Sequence, residues 1–242
     1  MKKKWYLKRA LAAFLAVLMA FGSATAVYAT KKPVKHKIAI DAGHQLRQNT
    51  GREPIGPGSR IYKQKVSSGT YGRWSKLNEY ELNLTIAKKL EKELKKRGYA
   101  VYMVRRKHNI NLSNKQRAQR SAKAGADILV RIHANGDDNS SVYGALTMAP
   151  ASNNPYMKKA VVKNSQKLST KVLNSFCKAT GAKKRSIIYT NDMSGINWST
   201  IPVTIVEMGF MSNRTEDLNM AKASYQKKMV KGIADGIDAY FK

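Results

Sequence analysis

The sequence predicts an α/β fold, a single three-layer domain in which a mostly parallel, twisted sheet carries helices on both faces. Two observations support this fold class. Short apolar runs with β propensity alternate with amphipathic helical patterns, which is typical of parallel sheets. The strongest apolar runs also end directly at polar residues, as strands do when they lead into a site at the carboxyl edge of a sheet. No internal repeat or composition break divides the chain after residue 37.

The individual elements follow from the spacing of apolar residues. The clearest helix is residues 79–97, where leucine or isoleucine recurs every four positions up to Leu94. The segment between residues 45 and 78 is rich in glycine and proline, and it predicts a long irregular loop that forms a substrate rim. The remaining predicted strands are 37–41, 99–105, 127–132, 142–148, 187–190 and 202–207, and the remaining predicted helices are 113–123, 155–180 and 221–241.

The first 29 residues have the layout of a secretory signal peptide. Residues 1–9 are basic, residues 10–22 are apolar, and small residues follow up to Ala29. The alternative is a membrane anchor, but the apolar run is shorter than the roughly 20 residues that span a bilayer. We expect cleavage after Ala29, then a basic leader over 30–36, and a catalytic domain over 37–242. The protein is therefore expected to be secreted or located in the cell wall.

The charge indicates the class of partner. The formal net charge is +30, and only five of the positive charges lie in the signal segment. Outside a cell, such a charge favours anionic wall polymers, and we expect no nucleic-acid partner. The single cysteine, Cys177, excludes an intramolecular disulfide and is expected to be a buried structural thiol. We expect a monomer.

Two of the four histidines directly follow apolar strands. His44 ends the segment IAIDAGH, and His133 follows the run DILVRI, whereas His36 and His108 lie in polar surroundings. A catalytic zinc site needs three protein ligands, so a carboxylate such as Glu79 or Glu207 would complete it. From the residues alone, a metal site and ordinary hydrogen-bonded histidines remain equally open.

Four segments, in order, resemble the zinc-dependent N-acetylmuramoyl-L-alanine amidase family. These are IAIDAGH with His44, EYELNL with Glu79 and Asn83, RIHAN with His133, and IPVTIVEMGFMSN with Glu207. The resemblance extends from about residue 37 to residue 241. Each segment alone is a weak signal, whereas four in the family's order are a strong one.

The resemblance implies a site and a reaction. His44, Glu79 and His133 would bind Zn²⁺, and Glu207 would be the catalytic general base. The choice of Glu79 over Glu81 depends on the four-residue spacing to the asparagine. The bond cleaved would be the amide between the lactyl group of muramic acid and the L-alanine of the peptidoglycan stem peptide.

The sequence also departs from the family pattern. Gln45 and Leu46 follow the first histidine where the family commonly has two glycines, and Arg131 replaces a small serine. We interpret these departures as a different substrate rim around an intact site.

Four further residues are candidates for supporting roles. Asn135 and Arg105 would contact substrate, although a surface salt bridge is the competing interpretation for Arg105. Trp198 would form the floor of a groove, or else fill the core. Asp41 would orient an imidazole, or else act as a turn or cap residue.

Two other functions compete with the amidase. One is a zinc carboxypeptidase acting on stem peptides, and the other is a non-catalytic basic protein that binds the wall. The sequence contains no HExxH motif, which excludes the thermolysin-like class of zinc protease.

Overall fold

The computed structural model describes residues 36–242, so the signal peptide over 1–29 and most of the leader lie outside the described residues. A six-stranded sheet in the order β4-β1-β5-β8-β6-β7 forms the centre. Its strands are β1 (Lys37–Ala42), β4 (Ala100–Met103), β5 (Ile128–Asn135), β6 (Leu146–Pro150), β7 (Ile188–Thr190) and β8 (Val203–Phe210).

The sheet is parallel over four strands and reverses once. β4, β1, β5 and β8 run in the same direction, β6 is antiparallel to β8, and β7 is parallel to β6. The prediction of a mostly parallel sheet is therefore confirmed. Because β1, β5 and β8 share one direction, their carboxyl ends meet at the same edge, where His133 is the register partner of Glu207.

Helices cover both faces of the sheet, as predicted. The larger face packs α1 (Glu79–Lys96), α3 (Lys159–Thr180) and the C-terminal α6 (Ala223–Phe241) against residues such as Ile38 and Val130. The opposite face packs α2 (Asn114–Lys123) and the one-turn α4 (Ser194–Asn197) against Ala39 and Leu129. Side chains alternate between the two faces along each strand, so the apolar runs of β1 and β5 supply both cores.

The contact between α3 and α6 is close because α6 carries two glycines on the facing side. A methyl group at Gly232 would lie 2.7 Å from the α-carbon of Phe176, and one at Gly236 would lie 2.5 Å from that of Val172. The two backbones can approach this closely only where a side chain is missing.

The prediction of an irregular loop over 45–78 is wrong for its first half. This stretch contains β2 (Asn49–Pro54) and β3 (Tyr62–Val66), which pair as an antiparallel hairpin. The hairpin packs on the body of the protein, since Ile55 and Val66 are buried and the buried Glu53 accepts a hydrogen bond from the backbone of Lys115 on α2. Both strands are short and polar, so neither shows the apolar alternation by which strands are recognised.

Smaller differences lie toward the C-terminus. The sequence analysis did not predict α4 or α5 (Arg214–Ala221), and β6 begins four residues later than expected. His36, expected in a loose leader, stacks on Phe241 with ring centroids 3.9 Å apart. Cys177 is partly buried, and burial raises the pKa of its thiol to about 11, as befits a structural residue.

Within residues 36–242, no helix combines the length and apolar character that crossing a membrane requires.

Candidate metal centre

Three side chains converge at the carboxyl edge of the sheet. His44 Nε2, His133 Nδ1 and Glu79 Oε1 form a triangle in which each pair of atoms is 3.2 Å apart. Among the described residues, this is the group of histidine and carboxylate side chains that could hold a metal ion.

The backbone after β1 is shaped to allow this convergence. His44 has a φ of 58°, in the left-handed region that non-glycine residues rarely adopt. A methyl group on the preceding Gly43 would lie 2.2 Å from the ring of His133, so only glycine fits there. Backbone strain of this kind is concentrated at functional sites.

Glu79 is held in place from several directions. It is the first residue of α1, and its Oε1 accepts hydrogen bonds from Asn83 Nδ2 at 3.1 Å and from the backbone of Ala134 at 3.1 Å. Its Oε2 accepts one from the backbone of Thr70 at 2.9 Å. Glu81 points elsewhere and accepts a hydrogen bond from the backbone of Asn78 in a capping box. The structure therefore places Glu79, and not Glu81, against the two imidazoles.

The segment that follows the hairpin completes the surroundings of His44. Its Nδ1 lies 2.9 Å from the backbone oxygen of Ser67, a contact that would fix the ring with Nε2 toward the triangle. Gly69, at a φ of 84°, passes so close that a methyl group would lie 2.7 Å from Glu79 Oε2. The sequence analysis missed Ser67 and Thr70. Thr70 contributes its backbone N–H, which leaves no pattern in a sequence. Ser67 also places its Oγ 3.2 Å from His44 Nδ1, but a serine in an irregular segment gives no signal of its own.

The electrostatics of the triangle suit a cation. Burial lowers the pKa of His133 to about 4, so its imidazole is neutral at neutral pH. Burial alone would raise the pKa of Glu79, but hydrogen bonds from His133 and His44 outweigh it and hold that pKa well below its usual range. One carboxylate anion and a neutral imidazole therefore face the same point.

Glu207 lies beside the triangle without belonging to it. Its Oε2 is buried and has no hydrogen-bond partner among the described residues. Burial, and then the charge of Glu79, raise the pKa of Glu207 to about 8. A carboxyl group with a raised pKa and a free oxygen at the base of a pocket is suited to proton transfer.

The pocket above these residues has a volume of about 860 Å³. Asn135, the predicted substrate contact, lies on its wall, and its Oδ1 accepts a hydrogen bond from the backbone of Gly136. Arg73, Asp137 and Ser212 also line the pocket, which is therefore predominantly polar.

The structure corrects the predicted roles of two residues. Asp41 does not orient an imidazole, because its carboxylate binds Arg117 Nη1 at 2.8 Å and Arg131 Nε at 2.9 Å. Arg105 is not placed to contact substrate, because its buried guanidinium donates to the backbone oxygens of Ala42 at 2.7 Å and Tyr80 at 2.7 Å. Both residues brace the segment that presents His44.

Trp198 does not line the pocket either. Its Nε1 donates to the backbone oxygen of Pro54 at 2.8 Å, and the Nζ of Lys115 lies 4.0 Å from its ring centroid. The ring therefore contacts the hairpin and does not line the pocket. This corrects the prediction that Trp198 forms the floor of a substrate groove.

The triangle has the dimensions of a zinc site. Zinc binds histidine nitrogens and carboxylate oxygens at about 2.0–2.2 Å in tetrahedral geometry, which places neighbouring ligand atoms about 3.3–3.5 Å apart. The observed separations of 3.2 Å are close to that value. Three protein ligands would leave a fourth coordination position free, as in catalytic zinc sites.

Comparisons with known proteins agree with this geometry. The chain is 29% identical over 166 residues to the N-acetylmuramoyl-L-alanine amidase LytC of Bacillus subtilis, covering 69% of this chain and 32% of LytC. The chain thus spans about a third of the length of that relative.

Solved structures share the fold. The catalytic domain of CwlV, an N-acetylmuramoyl-L-alanine amidase from Bacillus (Paenibacillus) polymyxa var. colistinus, is 28% identical with a TM-score of 0.65, covering 85% of this chain and 97% of that one. The N-acetylmuramyl-L-alanine amidase Ami1 of Mycobacterium smegmatis is 20% identical with a TM-score of 0.77, covering 86% of this chain and 97% of that one.

The sequence profile of one family matches residues 38–239, nearly everything that the structure describes. This chain belongs to the N-acetylmuramoyl-L-alanine amidase family.

Proposed function

We propose that this protein is a zinc-dependent N-acetylmuramoyl-L-alanine amidase that hydrolyses the bond between the muramic acid lactyl group and the L-alanine of the peptidoglycan stem. The observation that carries the proposal is the triangle of His44, Glu79 and His133 with the unpartnered Glu207 beside it. Family membership supplies the substrate, and the triangle supplies the chemistry that this substrate needs.

The metal ligands and Glu207 have separate roles in the proposed reaction. Zinc bound by His44, Glu79 and His133 supplies Lewis acidity, which polarises a carbonyl and acidifies water. Glu207 accepts the proton of the attacking water and donates it to the amine that leaves. A cation in the triangle would favour the charged form of Glu207 and bring its pKa down from about 8, which prepares the carboxylate to act as a base.

The same proposal covers location and binding. We infer that residues 1–29 direct export, that the enzyme acts in the cell wall as a monomer, and that its positive charge attracts anionic wall polymers. The non-catalytic alternative is disfavoured because all four chemical positions are present and converge.

Digestion of purified peptidoglycan tests the reaction. The mature protein should release intact stem peptides that begin with L-alanine and leave a lactyl carboxylate on the sugar, both of which mass spectrometry identifies. A chelator should stop the release, and added Zn²⁺ should restore it. Release of single amino acids would instead indicate the carboxypeptidase.

Metal content tests the ligands. The wild-type protein should hold one zinc per chain, and His44→Ala or Glu79→Ala should lower this to a small fraction, because two protein ligands hold catalytic zinc poorly. Elemental analysis of the purified proteins measures the stoichiometry.

The matched controls are His108→Ala and Glu81→Ala, which remove the same chemical groups nearby and should keep the metal. Full zinc content in His44→Ala would overturn the assignment. Loss of zinc in Glu81→Ala alone would transfer the carboxylate ligand to that residue.

A further inference from the structure

A second, smaller cavity meets the main pocket at the proposed catalytic residues. Its volume is about 240 Å³, and it shares His44, His133 and Glu207 with the larger pocket. Drug-sized ligands fill cavities of about 300–1,000 Å³, so this space suits one side chain of a substrate. A substrate bound over the proposed metal site would contact the larger pocket on one side and the smaller cavity on the other.

Arg131 supplies the charge in this cavity. It lies two residues before His133 on β5, so both side chains project from the same face of the strand. The Arg131 side chain is only 3% exposed. Its Nε donates to Asp41 Oδ2 at 2.9 Å, and its Nη2 donates to Asn114 Oδ1 at 2.7 Å.

The third nitrogen of this guanidinium is unpaired. Nη1 packs against Gly195, where an added methyl group would lie 1.6 Å away, and no acceptor among residues 36–242 bonds to it. Guanidinium groups have five N–H donors, so Nη1 keeps donors that a ligand in the cavity could use. Asp41 also binds Arg117, so two buried cations share this one anion. The next carboxyl group near Arg131 is that of Glu207, which lines the same cavity and whose pKa the charge of Arg131 lowers.

The rest of the cavity wall is largely apolar. Met148, Met193 and Ile205 lie on it, and the polar residues Ser67, Asn114 and Ser194 complete the lining. A ligand that matches both features has a carboxylate for the guanidinium and methylene groups beside that carboxylate for the apolar wall. An acidic amino acid residue has this chemistry.

We propose that the Arg131 cavity is a subsite for a carboxylate on the second residue of the stem peptide, a proposal that rests on the amidase function proposed above. The sugar side of the scissile bond carries hydroxyl and acetamido groups, so the anionic group closest to that bond belongs to the peptide. The enzyme then distinguishes stems with a free carboxylate from stems in which it is a carboxamide.

Two dipeptides test the subsite through binding alone. Both are L-alanyl-D-glutamate with the γ-carboxyl blocked as an amide, and they differ only in a free α-carboxylate or an α-carboxamide. Titration calorimetry on the zinc-loaded protein should show about tenfold or more tighter binding of the carboxylate, since a hydrogen bond to a charged group strengthens binding by that order. In Arg131→Ser, the two dipeptides should bind with similar Kd.

The matched control is Arg120→Ser, which removes an exposed arginine from α2 and should keep the preference. Arg131→Ser leaves Asp41 paired with Arg117, so the fold retains a balanced ion pair. If circular dichroism shows that Arg131→Ser is unfolded, Gly195→Ala provides the second variant, because its methyl group would displace Nη1 and should abolish the preference equally.

Equal binding of the two dipeptides to the wild-type protein would overturn the subsite, as would a preference that persists in the variants. Failure of the amidase function looks different. In that case muramyl peptides would release no lactyl acid, whatever the dipeptide affinities.

Discussion

Asp41 and Glu207 are two carboxylates at the same edge of the sheet, on strands that flank β5, and their surroundings are opposite. Asp41 is fully buried with Arg117 and Arg131 on its two oxygens. Burial alone would raise the pKa of Asp41, but the two guanidinium groups hold it well below its usual range. Glu207 has a buried oxygen with no partner, and its pKa is raised to about 8.

The difference separates a structural carboxylate from a reactive one. A carboxylate that is hydrogen-bonded on both oxygens stabilises its surroundings and is poorly placed to exchange protons. A carboxylate that lacks a partner destabilises the fold but can accept a proton from a substrate or water. Changes at the two positions should therefore affect different measurements.

The largest effect is expected from Glu207→Gln on catalysis. Glutamine keeps the shape but removes the base, so the rate of peptidoglycan cleavage should fall by about 10²–10⁴-fold. Zinc content and wall binding should stay near the wild-type values, which elemental analysis and a pull-down with insoluble wall would measure. Near-normal cleavage would refute the proposed role, and loss of zinc would identify Glu207 as a ligand.

The next largest effect is expected from Asp41→Asn on stability. The change leaves two buried guanidinium groups without their anion, and breaking a buried ion pair from one side typically costs about 3–5 kcal/mol. Denaturant unfolding should show this loss in the free energy of unfolding. Asp138→Asn, at an exposed position, is the control and should change little. A small change in the free energy of unfolding of Asp41→Asn would mean that Asp41 is not a structural carboxylate in the sense that separates it from Glu207.

The smallest effect is expected in the pH dependence of stability of the metal-free protein. The native pKa of Glu207, about 8, lies above its ordinary value of 4.5, so the native state keeps a proton that the unfolded chain releases. Between these two pH values, the unfolding free energy of the wild type should fall as pH rises, relative to that of Glu207→Gln.

At pH 8, the Gln variant should therefore be more stable than the wild type, and near pH 4 the difference should vanish. Parallel curves for the two proteins across this range would mean that Glu207 has an ordinary pKa in the native state.

The residues of the site were not equally predictable from the sequence. His44, His133 and Glu207 follow apolar strands whose burial shows directly in the sequence, and parallel strands bring such positions to one edge. Family resemblance was needed to choose Glu79, since the start of a helix does not by itself indicate which of two nearby glutamates faces the site.

The misassigned residues share a physical cause. Arg105 and Asp41 are buried charges, and charged residues are expected at the surface unless a specific partner is known. Their partners include the backbone oxygen of Ala42 for Arg105 and the side chain of Arg117 for Asp41, 63 and 76 positions away along the chain, so no local pattern reveals them. The hairpin was missed for a related reason, because its strands gain their stability from docking on α2 and Trp198 and not from an apolar face.

The contact between His44 and the carbonyl of Ser67 links the metal centre to a segment that provides no ligand. A ligand that binds only the native state stabilises whatever must be folded for binding. The stabilising effect of metal binding should therefore extend beyond the three ligands and slow the local opening of the hairpin that precedes Ser67. The zinc content of the protein would then also set how long the hairpin survives proteolysis.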